Sequence, residues 1–296
     1  MKIKILTSLL LFTFFFIGYA QSNLDTLFLT DGETKGVKII EVGKDEIKYS
    51  YPNETTVYSI NRFLVEKIKF SSGREEIIEI PFKEVNGLND VDQVFVTYNP
   101  IEINGLLNLG ELYSKATGVT VFSNMSNVKN RSLDKMKTEA SMIGANVVLI
   151  SNAQSRGNYY GNENSPSQST QTVFFGQAYT STPINVEQLS KVLQGLKLVH
   201  HQTHSLNRND FSPKSEISLR YDENRKPVIN QITNLEVQNG RLYASIKGFR
   251  SKTDELEVIR FQDGILTIME KHKNSVINYI FYTEGSDFMK SVQTIL

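Results

Sequence analysis

Hydrophobic and polar residues alternate with period two at both ends of this chain and with a helical period near its middle. The clearest stretch runs from Ser132 to Ser151. Leu133, Met136, Ala140 and Ile143 recur at helical spacing and share one face. Ser132 stands where an N-cap belongs, and Asp134 puts a negative charge into the first turn. Gly144 is placed to end the helix in the left-handed conformation. Val147 to Ile150 form a short, β-branched apolar run that predicts a core strand for the helix to cover.

Short alternating runs precede that stretch. Leu24 to Thr30, Gly36 to Val42, Ile47 to Tyr51, Thr56 to Ile60, Val65 to Phe70 and Glu75 to Ile80 read as strands. Asp31-Gly32, Gly43 to Asp45 and Ser71 to Gly73 supply turns between them. This predicts a small β-barrel over residues 22–82, of SH3-like size. Pro81 to Asp92 reads as a linker by its Pro, Asn and Gly content. A middle domain over 92–183 begins with strands at Val94 to Tyr98 and Leu106 to Ala116, the second interrupted by Gly110. Asn152 to Gln171 is almost wholly polar and predicts a mobile surface loop, with Tyr159 and Tyr160 as possible contacts.

The third segment, residues 185–296, opens with a short helix from Asn185, its N-cap, to Gln194, closed by Gly195. Strands follow at Leu196 to Leu206, Ile217 to Tyr221, Val228 to Val237, Arg241 to Phe249, Leu256 to Phe261, Ile265 to Lys271 and Val276 to Tyr282. Asn239-Gly240 and Asp263-Gly264 are hairpin turns. An antiparallel meander of this length predicts a barrel or a two-sheet sandwich. The fold class expected is therefore α+β and β-rich, with a small α/β domain between two β segments.

The N-terminus carries an export pattern. Lys2 and Lys4 precede an apolar run from Ile5 to Ile17, and Gly18 and Ala20 are small residues at the −3 and −1 positions. Cleavage before Gln21 is expected, and the run is well short of the roughly 20 residues of a membrane span. Gln21 and Ser22 stand where a lipoprotein would carry cysteine, and the chain has no cysteine at all. The expectation is a periplasmic or secreted protein without a lipid anchor or disulfides. The 32 basic residues balance 32 acidic ones, and no basic segment suggests nucleic acid as a partner.

Candidate chemistry is sparse. His200, His201 and His204 form an H-H-x-x-H cluster, which on a helix would place two imidazoles side by side for a metal. On a strand His200 and His204 share a face about 13 Å apart, with no thiolate and no glutamate in the zincin position. No metal or cofactor is expected. G-x-S-x-G, S-x-x-K and H-E-x-x-H are absent, and Asp254, Glu255 and Glu257 read as solvated charges at strand ends. No enzymatic activity is expected.

Two resemblances bear on function. The D-G-E-x-x-x-G-x-x-I pattern from Asp31 resembles the N-terminal β module of exported Gram-negative envelope proteins. The order Leu109-Gly110-Glu111-Leu112, helix, Gly144-Ala145-Asn146-Val147-Val148 and Gly176-Gln177-Ala178-Tyr179 is similar to small α/β domains labelled heavy-metal-binding. It is similar also to the fold of the outer-membrane stress sensor of the Rcs pathway. That segment, Val94 to Ser181, holds no His or Cys, so the family's metal label and the sensor's disulfides have no counterpart here. Physically, Ala145 lets helix and strand pack closely, and Asn146 is placed to bond its neighbouring backbone at the reversal.

Together these readings point to a non-catalytic envelope protein that binds other envelope proteins or cell-surface components. The alternative is a carrier with a small apolar ligand inside a C-terminal barrel. Leu242, Ala244, Ile246 and Gly248 alternate along one strand and include small residues, whereas Val258, Phe261, Leu266 and Ile268 read as fillers. A hollow interior favours the carrier and a packed one the binding module.

Overall fold

The computed structural model describes residues 24–287, Met289 and Lys290. The export signal expected over residues 1–20 lies outside the described residues. The chain divides into two compact units, one ending at Glu79 and the other starting at Ile80. It is β-rich, and among the described residues no helix is long and apolar enough to cross a membrane.

The first unit is one antiparallel sheet of β1 (Asp25–Leu29), β2 (Thr34–Val42), β3 (Glu46–Ser50), β4 (Tyr58–Asn61), β5 (Val65–Lys69) and β6 (Glu75–Ile77). Its order is β4-β3-β2-β1-β5-β6. Leu27, Val37, Ile47, Val65 and Ile68 meet in one core, Val65 and Ile68 through a register shift where β5 pairs with β1. Gly32 turns the first hairpin with φ +86°, the left-handed conformation that favours glycine. Asp25 is buried with them, and its carboxylate accepts the Ile39 and Ser71 N–H groups, each at 2.8 Å. Those bonds offset the cost of burying a carboxylate.

The second unit begins with β7 (Phe95–Thr97), β8 (Leu107–Thr117), helix α1 (Met125–Met142), β9 (Val147–Arg156) and β10 (Gln171–Thr180). The sheet order is β7-β9-β10-β8, with only β7 and β9 parallel. The helix starts earlier than its apolar pattern. Asn124, not Ser132, is the N-cap, accepting the Ser126 N–H at 2.7 Å. Ser132 sits in mid-helix on the buried stripe with Val128, Met136 and Ala140. Its hydroxyl lies 2.7 Å from that of Ser114 on β8, so the two polar groups satisfy each other under the helix. A polar residue on an apolar stripe imitates a cap when read from sequence alone.

The reversal after α1 is as expected in outline and different in its bonds. Gly144 has φ +80°, and the Ala145 N–H returns to the Ala140 carbonyl at 2.9 Å. Asn146 does not bond its own neighbours; its side chain joins two distant segments. The amide nitrogen donates to the Lys83 carbonyl at 2.9 Å and the Ser181 hydroxyl at 2.8 Å, and the amide oxygen accepts the Ser181 N–H at 2.9 Å. Its backbone N–H donates to Tyr179 and its carbonyl accepts from Phe95.

Residues 81–92 are consequently a packed strap rather than the expected free linker. Phe82 and Val85 are buried, Ser141 Oγ donates to the Gly87 carbonyl at 2.7 Å, and Arg260 donates to the Val85 carbonyl. The loop expected from Asn152 is also shorter. β9 runs on to Arg156, and the connection beyond it carries the bridges Tyr159↔Gln168 and Asn162↔Ser165.

Helix α2 (Val186–Leu193) follows, capped by Asn185, which accepts the Gln188 N–H at 3.0 Å. Then come β11 (Lys197–Asn207), β12 (Lys214–Ile217), β13 (Ile229–Gln238), β14 (Arg241–Lys247), β15 (Glu257–Gln262), β16 (Ile265–His272) and β17 (Ser275–Thr283). The strand expected at Ile217 to Tyr221 ends at Ile217; Tyr221 forms only a bridge to Pro227. The order is β12-β11-β13-β14-β15-β16-β17, and β17 pairs back onto β11, closing the hydrogen-bonded circuit. Inside it Leu198, Ile232, Leu242, Leu266, Ile268, Ile277 and Phe281 form one core with Leu193 of α2.

The segments separated in sequence at 183–185 share packed side chains. Leu206, Met269 and Val276 join Leu112, Met136, Ile143 and Phe174 in a single cluster, and Ile259 packs against it.

Ala145 is fully buried at the junction. Ala145→Leu is expected to destabilise the second unit by about 1–3 kcal/mol through overpacking. Asn146→Ala is expected to cost about 1–3 kcal/mol, because it removes three part-buried side-chain hydrogen bonds that join two segments. Pulse proteolysis in urea, reading survival of the fragment beyond Ile80, checks both; wild-type midpoints in the two variants would refute the packing described.

Candidate functional site

β11 carries a bulge between His200 and Gln202 where it pairs with β17. His200 opposes Phe281, Gln202 opposes Ile280 and His204 opposes Asn278, so His201 is the extra residue. One inserted residue shifts the side-chain alternation by one. His200 therefore shares a face with Thr203, Tyr279 and Phe281, whereas His204 lies on the opposite face and meets Ser215 Oγ at 2.7 Å. The expectation that His200 and His204 share a face is thereby corrected. Among the described residues no group of three or more His, Asp or Glu is placed to hold a metal ion.

β13 pairs with β11 only over Lys197 to Val199, and β12 takes over from Gln202. The parting leaves a cleft of about 590 Å³ bordered by β11, the segment after β12 and the end of β14. Its aromatic floor is His200, Phe249 and Tyr279. The His200 ring centroid lies 5.1 Å from Phe249 and 5.7 Å from Tyr279. Thr203, Arg220, Asn230 and Arg250 supply polar groups around it. Gly248, with φ +86°, turns the chain after β14 just before Phe249.

Burial fixes the protonation of this floor. His200 is held neutral, its pKa lowered from 6.5 to about 4, chiefly by desolvation. The charges of Arg220 and His201 act in the same sense, against an opposing backbone hydrogen bond at Gln202. His200 Nε2 is 3.0 Å from Thr203 Oγ1. Tyr279 donates to Glu270 Oε2 at 2.6 Å, and burial followed by this bond pushes its phenol well above the usual value. Glu270 is fully buried inside the circuit and also accepts the Thr253 N–H.

Of the carboxylates near β15, Asp254 and Glu255 are exposed as expected, and only Glu257 differs from its reading as a solvated charge. Glu257 is buried, paired with Arg241 Nη1 at 3.4 Å, and desolvation raises its pKa despite that partner. The positions weighed for a hollow interior are mostly filled: Leu242, Ala244, Ile246, Val258, Leu266 and Ile268 are buried in one cluster, with Phe261 packed against it.

Tyr159 and Tyr160 lie at the far end of the four-stranded sheet. The β8–α1 connection docks onto their hairpin: Gly118 N–H donates to the Thr170 carbonyl at 2.7 Å and Asn158 to the Val121 carbonyl at 2.7 Å. This sets Phe122, 80% exposed, against Tyr160, 64% exposed, with ring centroids 5.9 Å apart. Val119 on the same connection is also exposed. Sequence reasoning found the tyrosines through their isolation in a polar segment. It missed Phe122 and Val119 because the connection that carries them gives no periodic signal.

No protein-family model matches the chain, and no characterised protein or solved structure is significantly similar to it.

The His200 environment sets a pH dependence. Unfolded His200 takes up a proton below about pH 6.5, whereas the folded side chain resists until about pH 4. Its contribution to stability is thus present above pH 6.5 and lost as pH falls towards 4. His201 and His204, also lowered by burial, act in the same direction. Urea titrations from pH 7.5 to 4 should show a shallower loss of stability in His200→Phe than in wild type; parallel profiles would contradict the assignment.

Proposed function

We propose that this chain is an exported bacterial envelope protein that works by binding another envelope protein rather than by catalysis. The observation that carries the reading is the apolar tip. Phe122, Tyr160 and Val119 are among the most exposed apolar side chains of their unit, and they sit on two connections that are hydrogen-bonded to each other, with the Phe122 and Tyr160 rings in contact. Large apolar side chains gathered at one exposed spot mark contact sites in soluble proteins. The lysine-flanked apolar run and small residues ending at Ala20 support export.

In this reading the six-stranded N-terminal sheet is an SH3-like module and the closed C-terminal circuit is a β-barrel. The helix, the Gly144-Ala145-Asn146 turn and the strand after it support reading the middle segment as similar to the small α/β domains of the Rcs sensor type. The carrier reading draws less support, because aliphatic side chains occupy the centre of the circuit. In this reading Thr203 positions the His200 ring, and Glu270, fully buried, holds the Tyr279 hydroxyl inside the circuit.

A photoreactive residue placed at Phe122 is expected to crosslink a defined partner in intact envelopes. Phe122→Ser with Tyr160→Ser should abolish that partner's co-purification while leaving the melting temperature of the protein unchanged. Absence of any crosslink, or undiminished binding by the double variant, would refute the tip as the contact site. Mass spectrometry of the native protein should find Gln21 at its N-terminus; retention of Met1 to Ala20 would refute export by cleavage.

A further inference from the structure

A second cleft, distinct from the tip in composition, has a marked charge character. β8, helix α1 and the segment after β11 enclose about 480 Å³. Lys115, Arg131, Lys135 and Arg208 line it, while Asp210 is the single carboxylate in its wall. Among the described residues none of the four cations forms an ion pair. Asp210 is directed elsewhere, to Asn207 Nδ2 at 2.5 Å and Lys214 Nζ at 3.8 Å.

Three of the cations, Arg131, Lys135 and Arg208, are held in place by neutral partners. Arg131 lies over the Phe211 ring, 5.0 Å from its centroid, and Arg208 lies 4.6 Å from that of Tyr113. Stacking on aromatic faces fixes guanidinium planes while leaving their N–H edges able to donate. Lys135 is the most informative of the four. It is only 4% exposed, and its ammonium donates to the Arg208 carbonyl. Desolvation lowers its pKa, opposed in part by the charges of Glu139 and Asp210, neither of which pairs with it. A buried cation with no carboxylate in direct contact is costly to a fold, and Leu or Met at this helical position would avoid that cost. An anion entering the cleft would offset it, meeting Lys135 from the wall and Arg131 and Arg208 from either side.

We propose that this cleft binds a tetrahedral oxyanion, phosphate or sulfate, borne by an organic molecule. Arginine forks match the paired oxygens of such a group, and the lysine supplies a point charge. The walls made by Tyr113 and Phe211 suit the organic part. The bearer is either a soluble metabolite or a lipid headgroup, which share this chemistry. The proposal does not depend on the apolar tip, and its test uses different residues.

Calorimetry of the full chain with pyrophosphate tests it, with chloride as control. Pyrophosphate is expected to bind, more weakly as ionic strength rises. Arg131→Gln and Lys135→Met are each expected to weaken binding by about tenfold or more. Lys135→Met should also keep or raise the melting temperature, since it removes a buried unpaired charge; a purely structural lysine would lower it and leave the affinity alone. Arg131→Gln, at a partly exposed position, keeps the test valid if Lys135→Met fails to fold. Vesicles of phosphatidylglycerol set against phosphatidylcholine separate the sources: binding to the former that pyrophosphate competes away assigns a headgroup, and pyrophosphate binding without it assigns a soluble ligand. No binding of pyrophosphate or of phosphatidylglycerol vesicles, or binding unchanged in both variants, would overturn the proposal.

Discussion

The amide side chain of Asn146 is the constraint on which the second unit depends. It lies in the four-residue reversal between α1 and β9, and it is buried. From there it holds the strap at Lys83 and the end of β10 at Ser181, while its backbone takes up Phe95 of β7 and Tyr179 of β10. The Asn146 side chain itself is buried, so its amide would be without partners if these bonds were lost, at about 1–3 kcal/mol. Gly144 makes the geometry possible, because an ideal Cβ there would stand 3.3 Å from Ile259 in a conformation that already strains L-residues. The turn thus does more than end a helix. It brings the sheet, the strap and the C-terminal strands to one point.

A single inserted residue governs the other half of the unit. With the bulge at His201, His200 turns to the inner aromatic face, and Leu206 turns outward to pack with Met136 and Ile143 beneath α1. Without it the alternation beyond His201 would reverse, carrying Leu206 away from that cluster. On the other edge of β11, pairing with β13 ends at Val199, next to the bulge, and the cleft floored by His200, Phe249 and Tyr279 lies there. The bulge thus sets which face His200 presents to that cleft and which face Leu206 presents to α1.

The parts of the fold carried by local rules were legible in the chain: the hairpin at Asp31-Gly32, the helix stop at Gly144, the cap at Asn185 and most strand positions. What was hidden is decided by partners far away in sequence. Ser132 imitates a cap because its partner, Ser114, is on another strand. Pro81 to Asp92 imitates a linker because its anchors, Asn146, Ser141 and Arg260, lie beyond it. A bulge leaves no mark in a run such as His200-His201-Gln202, so the face of each histidine was unreadable. Of the candidate surfaces, Tyr159 and Tyr160 stood out in a polar segment, whereas the cationic cleft is assembled from β8, α1 and the residues after β11, each unremarkable alone.

Native-state hydrogen exchange of the backbone amides of Phe95, Asn146 and Ser181 tests the central claim most directly. These amides bond respectively to the Asn146 carbonyl, the Tyr179 carbonyl and the Asn146 side chain. If the turn is the common anchor of the unit, all three exchange only through the opening that exposes the core amides of β9 and β10, and all three lose protection together in Asn146→Ala. Rapid exchange at Phe95 and Ser181 in the wild type, with the β9–β10 core still protected, would contradict the account.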